Sequence, residues 1–441
     1  MAAQPMSNRS IAVAALSTII EWYDFTLYLY LATVLSRIFF GGGEVGVGDT
    51  LAGFAIAYLT RPLGAIVFGH IGDRFGRRLT MLLSMGMMTA AMLATAMLPT
   101  YAQIGSWAGG LLLALRCLMA FSVGGEYTGV VAYLLEGAAP HRRGLVTSLA
   151  SAASEVGALL AVTLSAIIVT SLDSESLESW GWRIPFFVGA ALAGLVLLAR
   201  STMEESPDFR RQQAEQTVPR HPLRLTLARQ RRAIGRGFAI SALGSITYYV
   251  GIVYVPSFLT GTQVMQEADA LWLSTIAAVA VVIVTPFTGL LADHVGRRPV
   301  LLTLAAGSMV LPILMFALMM QASFAAALAG AIMLALLGGG VSAVGAVATA
   351  EQFPGEGRLS GLALGATSAT ALFGGLTPYL SHLLIGRTGW PIMPGLMIAL
   401  VALSILPVLW RLPETAHGRP MLPSPVRRGE RLGSLPNSWL D

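Results

Sequence analysis

The sequence predicts an all-α polytopic membrane protein: twelve transmembrane helices arranged as two pseudo-symmetric six-helix bundles. Three observations carry that expectation. Of the 441 residues, 55% are hydrophobic and 12% charged, against roughly 25% charged in a soluble domain. Apolar runs of about twenty residues, the length that crosses a bilayer as a helix, recur along the chain. A Gly/Asp/Arg pattern that follows the second run returns after the eighth. With 48 glycines and a mean hydropathy of +0.70, the composition excludes a disordered chain, a coiled coil and a soluble globular enzyme. A membrane β-barrel would show short alternating segments instead.

In order, the apolar runs are centred near Tyr23, Thr60, Met88, Ala120, Gly157 and Leu192, then Thr247, Val282, Val310, Ala335, Thr370 and Leu400. Twelve spans of ~20 residues take about 240 residues. The remainder is short loops, an arginine-rich stretch and a tail rich in Pro and Arg. The expected organisation is residues 1–200 as the N-terminal six-helix bundle, 201–236 as a cytoplasmic linker, 237–411 as the C-terminal six-helix bundle and 412–441 as a cytoplasmic tail without fixed structure.

Single residue types narrow the function further. One cysteine, Cys117, excludes an internal disulfide and reads as an inert core residue. Six scattered histidines offer no metal-ligand spacing, and no ATP-binding motif appears, so no cofactor is expected. All 28 basic residues are arginine. They lie between apolar spans, so the net charge of +5 reads as topology, not as affinity for nucleic acid. Arg74, Arg77, Arg78, Arg142, Arg143, Arg297, Arg298 and Arg358 fall in alternate loops. Glu44, Asp49, Asp173, Glu175, Glu178, Glu267 and Asp269 fall in the others. Both termini and the central stretch are therefore expected to face the cytoplasm. Glu21 and Asp24 inside the first apolar run argue against a cleavable secretion signal.

The repeat is explicit in the residues. Gly69, Gly72, Asp73, Gly76, Arg77 and Arg78 follow span two, and Gly289, Asp293, Gly296, Arg297 and Arg298 hold the matching places after span eight. Glu136 and Arg143 flank Pro140 after span four, as Glu351 and Arg358 flank Pro354 after span ten. Two six-span repeats place a binding site at their interface, near mid-membrane. The loop residues read as a cytoplasmic gate. Asp73 is expected to accept hydrogen bonds at a neighbouring helix N-terminus. Arg77 or Arg78 is expected to reach Glu136, and Arg297 or Arg298 to reach Glu351, with Arg74, Arg143, Asp293 and Arg358 in the same network. Such a network would latch the outward-facing state. Anchoring of arginines on the cytoplasmic side explains the arginines but not the repeated Gly and Asp.

Ionisable groups inside the spans are the strongest functional signal. Glu21, Asp24, Arg61, Arg116, Glu126 and Glu155 each cost ~2.5–3.5 kcal/mol near the centre of a helix. Together they cost on the order of 15 kcal/mol before pairing, so they must pair or face a hydrated cavity. Glu21, Asp24 and Tyr28 share one face of span one at spacing i, i+3, i+7. Arginine does not deprotonate, so the coupled proton falls to an acid: Glu21 or Asp24 first, with Glu126 and Glu155 as further candidates. Arg116, with Arg61 second, is the expected clamp for a substrate carboxylate. Tyr248 and Tyr249 add an aromatic wall from the second half. A permanent Arg61–acid ion pair, helix packing at Gly124-Gly125-Glu126 and plain packing of the tyrosines are the structural alternatives.

These residues resemble the major facilitator superfamily. Glu21-Trp22-Tyr23-Asp24-Phe25, Phe121-Ser122-Val123-Gly124-Gly125-Glu126-Tyr127, Gly181-Trp182-Arg183-Ile184-Pro185-Phe186, Glu205-Ser206-Pro207 and Pro413-Glu414-Thr415 are similar to its metabolite:proton symporter family. The chain departs from that family's pattern at Leu29 and at Met119-Ala120. The resemblance implies a secondary active transporter of the bacterial inner membrane, working as a monomer in the lipid bilayer. It would import a small organic acid or zwitterion with protons by alternating access. The alternatives are a proton-coupled antiporter exporting a drug or other amphipathic compound, an integral-membrane enzyme, and a sensor that no longer transports.

Overall fold

The structure is a computed structural model that describes residues 8–124, 126–205, 207–216, 222–321, 323–354 and 357–416. All regular structure among the described residues is helical. Span one runs as Asn8–Tyr30 and resumes after Leu31 as Ala32–Phe40. Spans two and three are Gly43–Phe75 and Arg77–Ala96. Span four is Trp107–Val123 continued by Glu126–Gly137, span five is Arg143–Ser171, and span six ends as Arg183–Arg200. Span seven is Arg231–Tyr248, a π-helical turn over Tyr249–Val253, and Val255–Gly261. It bends by 47° beside Pro256, whose ring excludes a regular backbone hydrogen bond. Spans eight, nine and ten are Glu267–Val295, Arg297–Met319 and Phe324–Ala350. Span eleven contains two π-helical turns, Ala363–Thr367 and Ala371–Gly375, and span twelve is Met393–Trp410.

Nine of these, among the described residues, are long and apolar enough to cross a bilayer alone, and the bent span seven makes a tenth. Trp107–Val123 is apolar but shorter, and span one carries Glu21 and Asp24. Between the halves lie two short helices, Pro207–Ala214 and Pro222–Arg229. Span seven begins at Arg231, earlier than the expected boundary at 237. Its first turn carries arginines because it projects beyond the apolar layer, which makes it read as linker in the sequence.

The two halves pack by the same plan. Spans one and five, two and four, and three and six lie together in the first half. Seven and eleven, eight and ten, and nine and twelve do so in the second. Two seams join the halves: span five against eight, and span two against eleven. These seams are each other's counterparts under the repeat.

Small residues set the closest approaches. A Cβ at Gly64 would collide with the Phe121 carbonyl, and one at Gly124 with the Arg61 carbonyl. Spans two and four therefore touch backbone to backbone beside Arg61, the contact that small residues permit in a membrane. At the seam between five and eight, a Cβ on Gly289 would lie 2.6 Å from the Ser148 Cβ. The matching Gly69 has looser surroundings, 3.9 Å from the Ala363 Cβ. The repeated glycine is thus tight on one seam and relaxed on the other.

Gly64→Ala should destabilise the protein by about 1–3 kcal/mol, as overpacking does. Gly86→Ala, at a position with open space around it, should not. Thermal unfolding of the two variants in detergent checks the difference.

Candidate functional site

A cavity of about 110 Å³ lies between the halves. Trp22, Arg61 and Gly124 line it from the first half, and Ser245, Tyr248, Tyr249, Thr367 and Thr370 are among its walls from the second. Arg61 is the one cationic side chain among the described residues that line it. It is 5% exposed. Its Nη2 donates to Glu21 Oε1 at 2.7 Å and its Nη1 to the Tyr58 hydroxyl at 2.5 Å. The Phe25 ring lies 5.0 Å from its Cζ and the Tyr58 ring 5.2 Å. Tyr58 in turn makes a short hydrogen bond with Tyr249 of span seven. The chain Glu21–Arg61–Tyr58–Tyr249 therefore crosses from one half to the other.

Aromatic rings close the rest of this region. Trp22 meets Tyr248 edge to face at 4.9 Å and stacks on Tyr249 at 6.0 Å. Trp22 and Tyr58 carry no role in the sequence-based expectation. Tyr58 was findable: it lies one helical turn before Arg61, so the two share a face.

The second buried pair sits elsewhere. Arg116 Nη1 donates to Asp24 Oδ2 at 2.8 Å, and Nη2 lies 3.4 Å from Asp24 Oδ1 and 3.2 Å from the Thr95 hydroxyl. The Tyr28 and Phe186 rings flank Arg116 at 5.7 Å, and the Tyr28 hydroxyl donates to the Thr50 carbonyl at 3.0 Å. Asp24, Tyr28 and Arg116 are thus held inside the first half, off the cavity lining. Asp24 draws Arg116 away from the path between the halves. Leu29, Met119 and Ala120 are buried in the core and do not line the cavity either.

Glu155, at the centre of span five, is 3% exposed and has no ion-pair partner among the described residues. Tyr248 of span seven and Tyr30 of span one face it. The Tyr248 hydroxyl completes no hydrogen bond of standard geometry. The side chain of Glu126 lies outside the described residues.

At the arginine-rich end the repeat is realised with a crossing that the sequence does not announce. Arg358 of the second half donates to Glu136 of the first at 2.9 Å, and Arg143 of the first exerts its charge on Glu351 of the second. Arg297 reaches Glu351 at 3.4 Å, as expected. Arg77 and Arg78 do not take Glu136. Arg77 turns to Asp73 at 3.2 Å and to the Gly72 carbonyl, and Arg78 to the Ser201 carbonyl. Proximity decides this: Asp73, in the last turn of span two, lies across the tight Gly76 turn from Arg77 at the start of span three. Arg74 stacks over Phe75 at 5.3 Å.

Asp293 pairs with Arg297 at 2.8 Å and accepts the Gly144 and Leu145 N–H groups at 2.9 and 2.8 Å. It thereby caps the N-terminus of span five across the seam. Asp73 accepts instead from the Ser360 hydroxyl at 2.8 Å, at the start of span eleven. The expected docking of an aspartate at a neighbouring helix N-terminus is thus fully formed at Asp293 and side-chain mediated at Asp73.

Two further acids complete this end. Glu205 accepts the N–H groups of Arg77 and Arg78 at 2.9 and 3.2 Å. Glu414 accepts those of Arg297 and Arg298 at 2.9 and 3.0 Å. Each carboxylate sits where a Cβ of Gly76 or Gly296 would be. Those glycines have φ of +111° and +119°, so both space and backbone require glycine there.

The opposite end is also closed. Arg37 lies 2.7 Å from Glu178 and 3.6 Å from Glu267 of the second half, and the Thr33 hydroxyl donates to Glu267 in a short hydrogen bond. Trp272 of span eight donates to Thr170 of span five at 3.2 Å. Contacts between the halves exist at both ends, whereas the arginine-end network alone implied an outward-facing form.

Two bundles meeting around a central cavity that holds one buried arginine, with ionic contacts at both ends, define an alternating-access membrane transporter. The chain belongs to the major facilitator superfamily, in its metabolite:proton symporter family. A family model described as "Sugar (and other) transporter" matches residues 10–220, and one described as "Major Facilitator Superfamily" matches residues 253–434. The ectoine/proline transporter ProP of Corynebacterium glutamicum is 32% identical over 86% of this chain and 78% of its own length. The proline/betaine transporter of Salmonella typhimurium is 30% identical over 94% and 85%. The citrate-proton symporter of Klebsiella pneumoniae is 32% identical over 87% of each. A solved structure of the proton:xylose symporter XylE superposes with a TM-score of 0.76 at 21% identity, over 92% of this chain and 96% of the other. The protein is a secondary active transporter coupled to protons, not an enzyme.

Burial opposes ionisation of Glu414, but the backbone N–H groups of Ala416, Arg297, Arg298 and Thr415 outweigh it and hold its carboxyl below the usual glutamate range. A group depressed in this way contributes stability above its unfolded value, near 4.3, and loses it as pH falls through the folded one. Acidification below about pH 4.3 should therefore raise hydrogen exchange at the start of span nine. Glu414→Gln should show raised exchange at neutral pH and no further pH step.

Proposed function

We propose that this transporter imports a small zwitterionic metabolite, bound as a carboxylate on Arg61 with its cationic end against Trp22, Tyr248 and Tyr249. The observation that carries this is the state of Arg61. The one cationic side chain among the described residues on the cavity wall is already matched by Glu21 at 2.7 Å, so the site is close to neutral. A solute with balanced charges enters without leaving net charge in the low-dielectric layer. A tricarboxylate would bring three negative charges to one arginine that is already paired. Aromatic faces attract a desolvated ammonium by about 2 kcal/mol or more, and Trp22, Tyr248 and Tyr249 present such faces on this wall. Relatives named for proline, betaine and ectoine are consistent with the same class.

In this reading Tyr58 holds Arg61 in register, and the Tyr58–Tyr249 hydrogen bond closes the site when both halves meet. Asp24, Arg116 and Tyr28 serve as a buried brace within the first half. The contacts of Asp73, Glu136, Arg143, Asp293, Arg297, Glu351 and Arg358 act as the cytoplasmic gate, and Arg37 with Glu178 and Glu267 as the outer one. The arginine-rich loops favour a cytoplasmic position for that end at a bacterial inner membrane, with residues 201–230 as the connector between bundles and the monomer as the working unit. A symporter moving one proton with a neutral solute carries one charge. A potential of 100 mV then supplies about 2.3 kcal/mol, or roughly fifty-fold accumulation.

Thermal unfolding of the purified protein should rise with glycine betaine or proline and stay unchanged with citrate or α-ketoglutarate. A ligand at a hundred times its Kd stabilises by about 2.7 kcal/mol, and Arg61→Ala should abolish the shift. Stabilisation by citrate with none by the zwitterions would overturn the assignment.

A further inference from the structure

We infer that Glu155 carries the coupling proton and that Tyr248 transmits its charge state to the substrate cavity. The inference deepens the proton-coupled reading above and rests on it.

Only an acid without a permanent cationic partner is free to change charge. Glu21 and Asp24 each lie within 2.8 Å of an arginine nitrogen. Arginine keeps its proton, so protonating either acid would strand a buried cation and cost several kcal/mol. Glu155 has no such partner among the described residues. Span ten, which packs against span five, contains no ionisable residue, and span eight carries Glu267, Asp269, Asp293 and His294 only near its ends. Among the described residues, the titratable groups facing Glu155 are Tyr30 from span one and Tyr248 from span seven. Glu136 belongs to the cytoplasmic end of span four, in its pair with Arg358. The charge of Glu155 can therefore be removed by a proton alone, without breaking an ion pair.

Tyr248 supplies the link to the solute. It belongs to the second half, whereas Glu155 belongs to the first, so their approach exists only when the halves are together at this level. Its hydroxyl is unpartnered by standard geometry while the residue is 3% exposed, and its ring both lines the cavity and meets Trp22. An ionised Glu155 accepts a hydrogen bond from this hydroxyl and draws Tyr248 towards span five. A protonated Glu155 holds its own O–H donor, so Tyr248 is released to the solute. The step is a simple balance: carboxylate plus proton gives carboxylic acid, the proton arriving from the outer solution and leaving to the cytoplasm after the halves rock. Tyr248 is a positioning residue that donates without ionising.

In proteoliposomes with glycine betaine as probe, the wild type should accumulate solute about fifty-fold at 100 mV. Glu155→Gln should reach only equal concentrations inside and outside, yet keep counterflow of preloaded glycine betaine. Tyr248→Phe should lower the protons moved per solute. Accumulation by Glu155→Gln at the wild-type level would overturn the assignment. A second readout needs no solute: infrared difference spectra recorded across pH on the wild type should contain a protonated-carboxyl band that Glu155→Gln removes and Tyr248→Phe shifts. If glycine betaine is not transported by the wild type, the substrate reading fails and the infrared band alone decides. An unchanged band in Glu155→Gln rejects the proposal in that case too.

Discussion

Everything in this molecule is arranged around the cost of placing charge in hydrocarbon. An ionised group near the middle of a span costs a few kcal/mol, and the first half contains several. The fold meets that cost in two ways. Glu21 with Arg61 and Asp24 with Arg116 neutralise each other at salt-bridge distance, and aromatic rings surround both cations. Glu155 is left to the hydroxyls of tyrosines. The first arrangement fixes spans one, two and four relative to each other. The second leaves one group whose charge is a variable. On the proposed assignment, binding and coupling fall on different residues because they make opposite demands: a permanent charge for recognition, a removable one for work.

The same logic explains why the gate residues are shared between the halves. Arg358 forms an ion pair with Glu136 across the halves, and the charge of Arg143 acts on Glu351 from the other direction. Asp293 adds hydrogen bonds to the helix start of span five. None of these can persist if the halves separate at that end. The opposite end relies on Arg37, Glu178 and Glu267, which are partly exposed to water, so its contacts are cheaper to break. Closing the two ends against one another is the energetic condition for carrying a solute through without a continuous pore.

The spans, their repeat and the buried charges were legible in the sequence because each signal is local. Apolar length marks a span, and Gly, Asp and Arg at fixed spacing mark a turn between spans. What the sequence did not yield depends on contacts distant along the chain. Glu205 and Glu414 lie far in sequence from the helix starts they cap. Nothing in the spacing of Glu136 and Arg143 says that each pairs across the seam. Arg116 and Arg61 look alike on paper, as cations near mid-span. Only the direction in which spans two and four face separates the one on the cavity wall from the one inside the bundle. Trp22 lies between two acids that drew attention away from it.

The π-helical turns have a last consequence. Span seven has one beside Tyr249 and span eleven has two on either side of Ser368–Thr370, and such turns interrupt the regular backbone ladder. Their counterparts in the first half, spans one and five, are instead tied together through close packing at Gly157 and the Ile19 carbonyl. A shared ancestral plan therefore yields unequal stiffness: one bundle is an anvil, and the other has built-in pivots at the level of the solute. Wrapping around cargo of slightly different shape then becomes a task for a single side of the molecule, which gives a family of related carriers a way to change diet without rebuilding the half that keeps the charges.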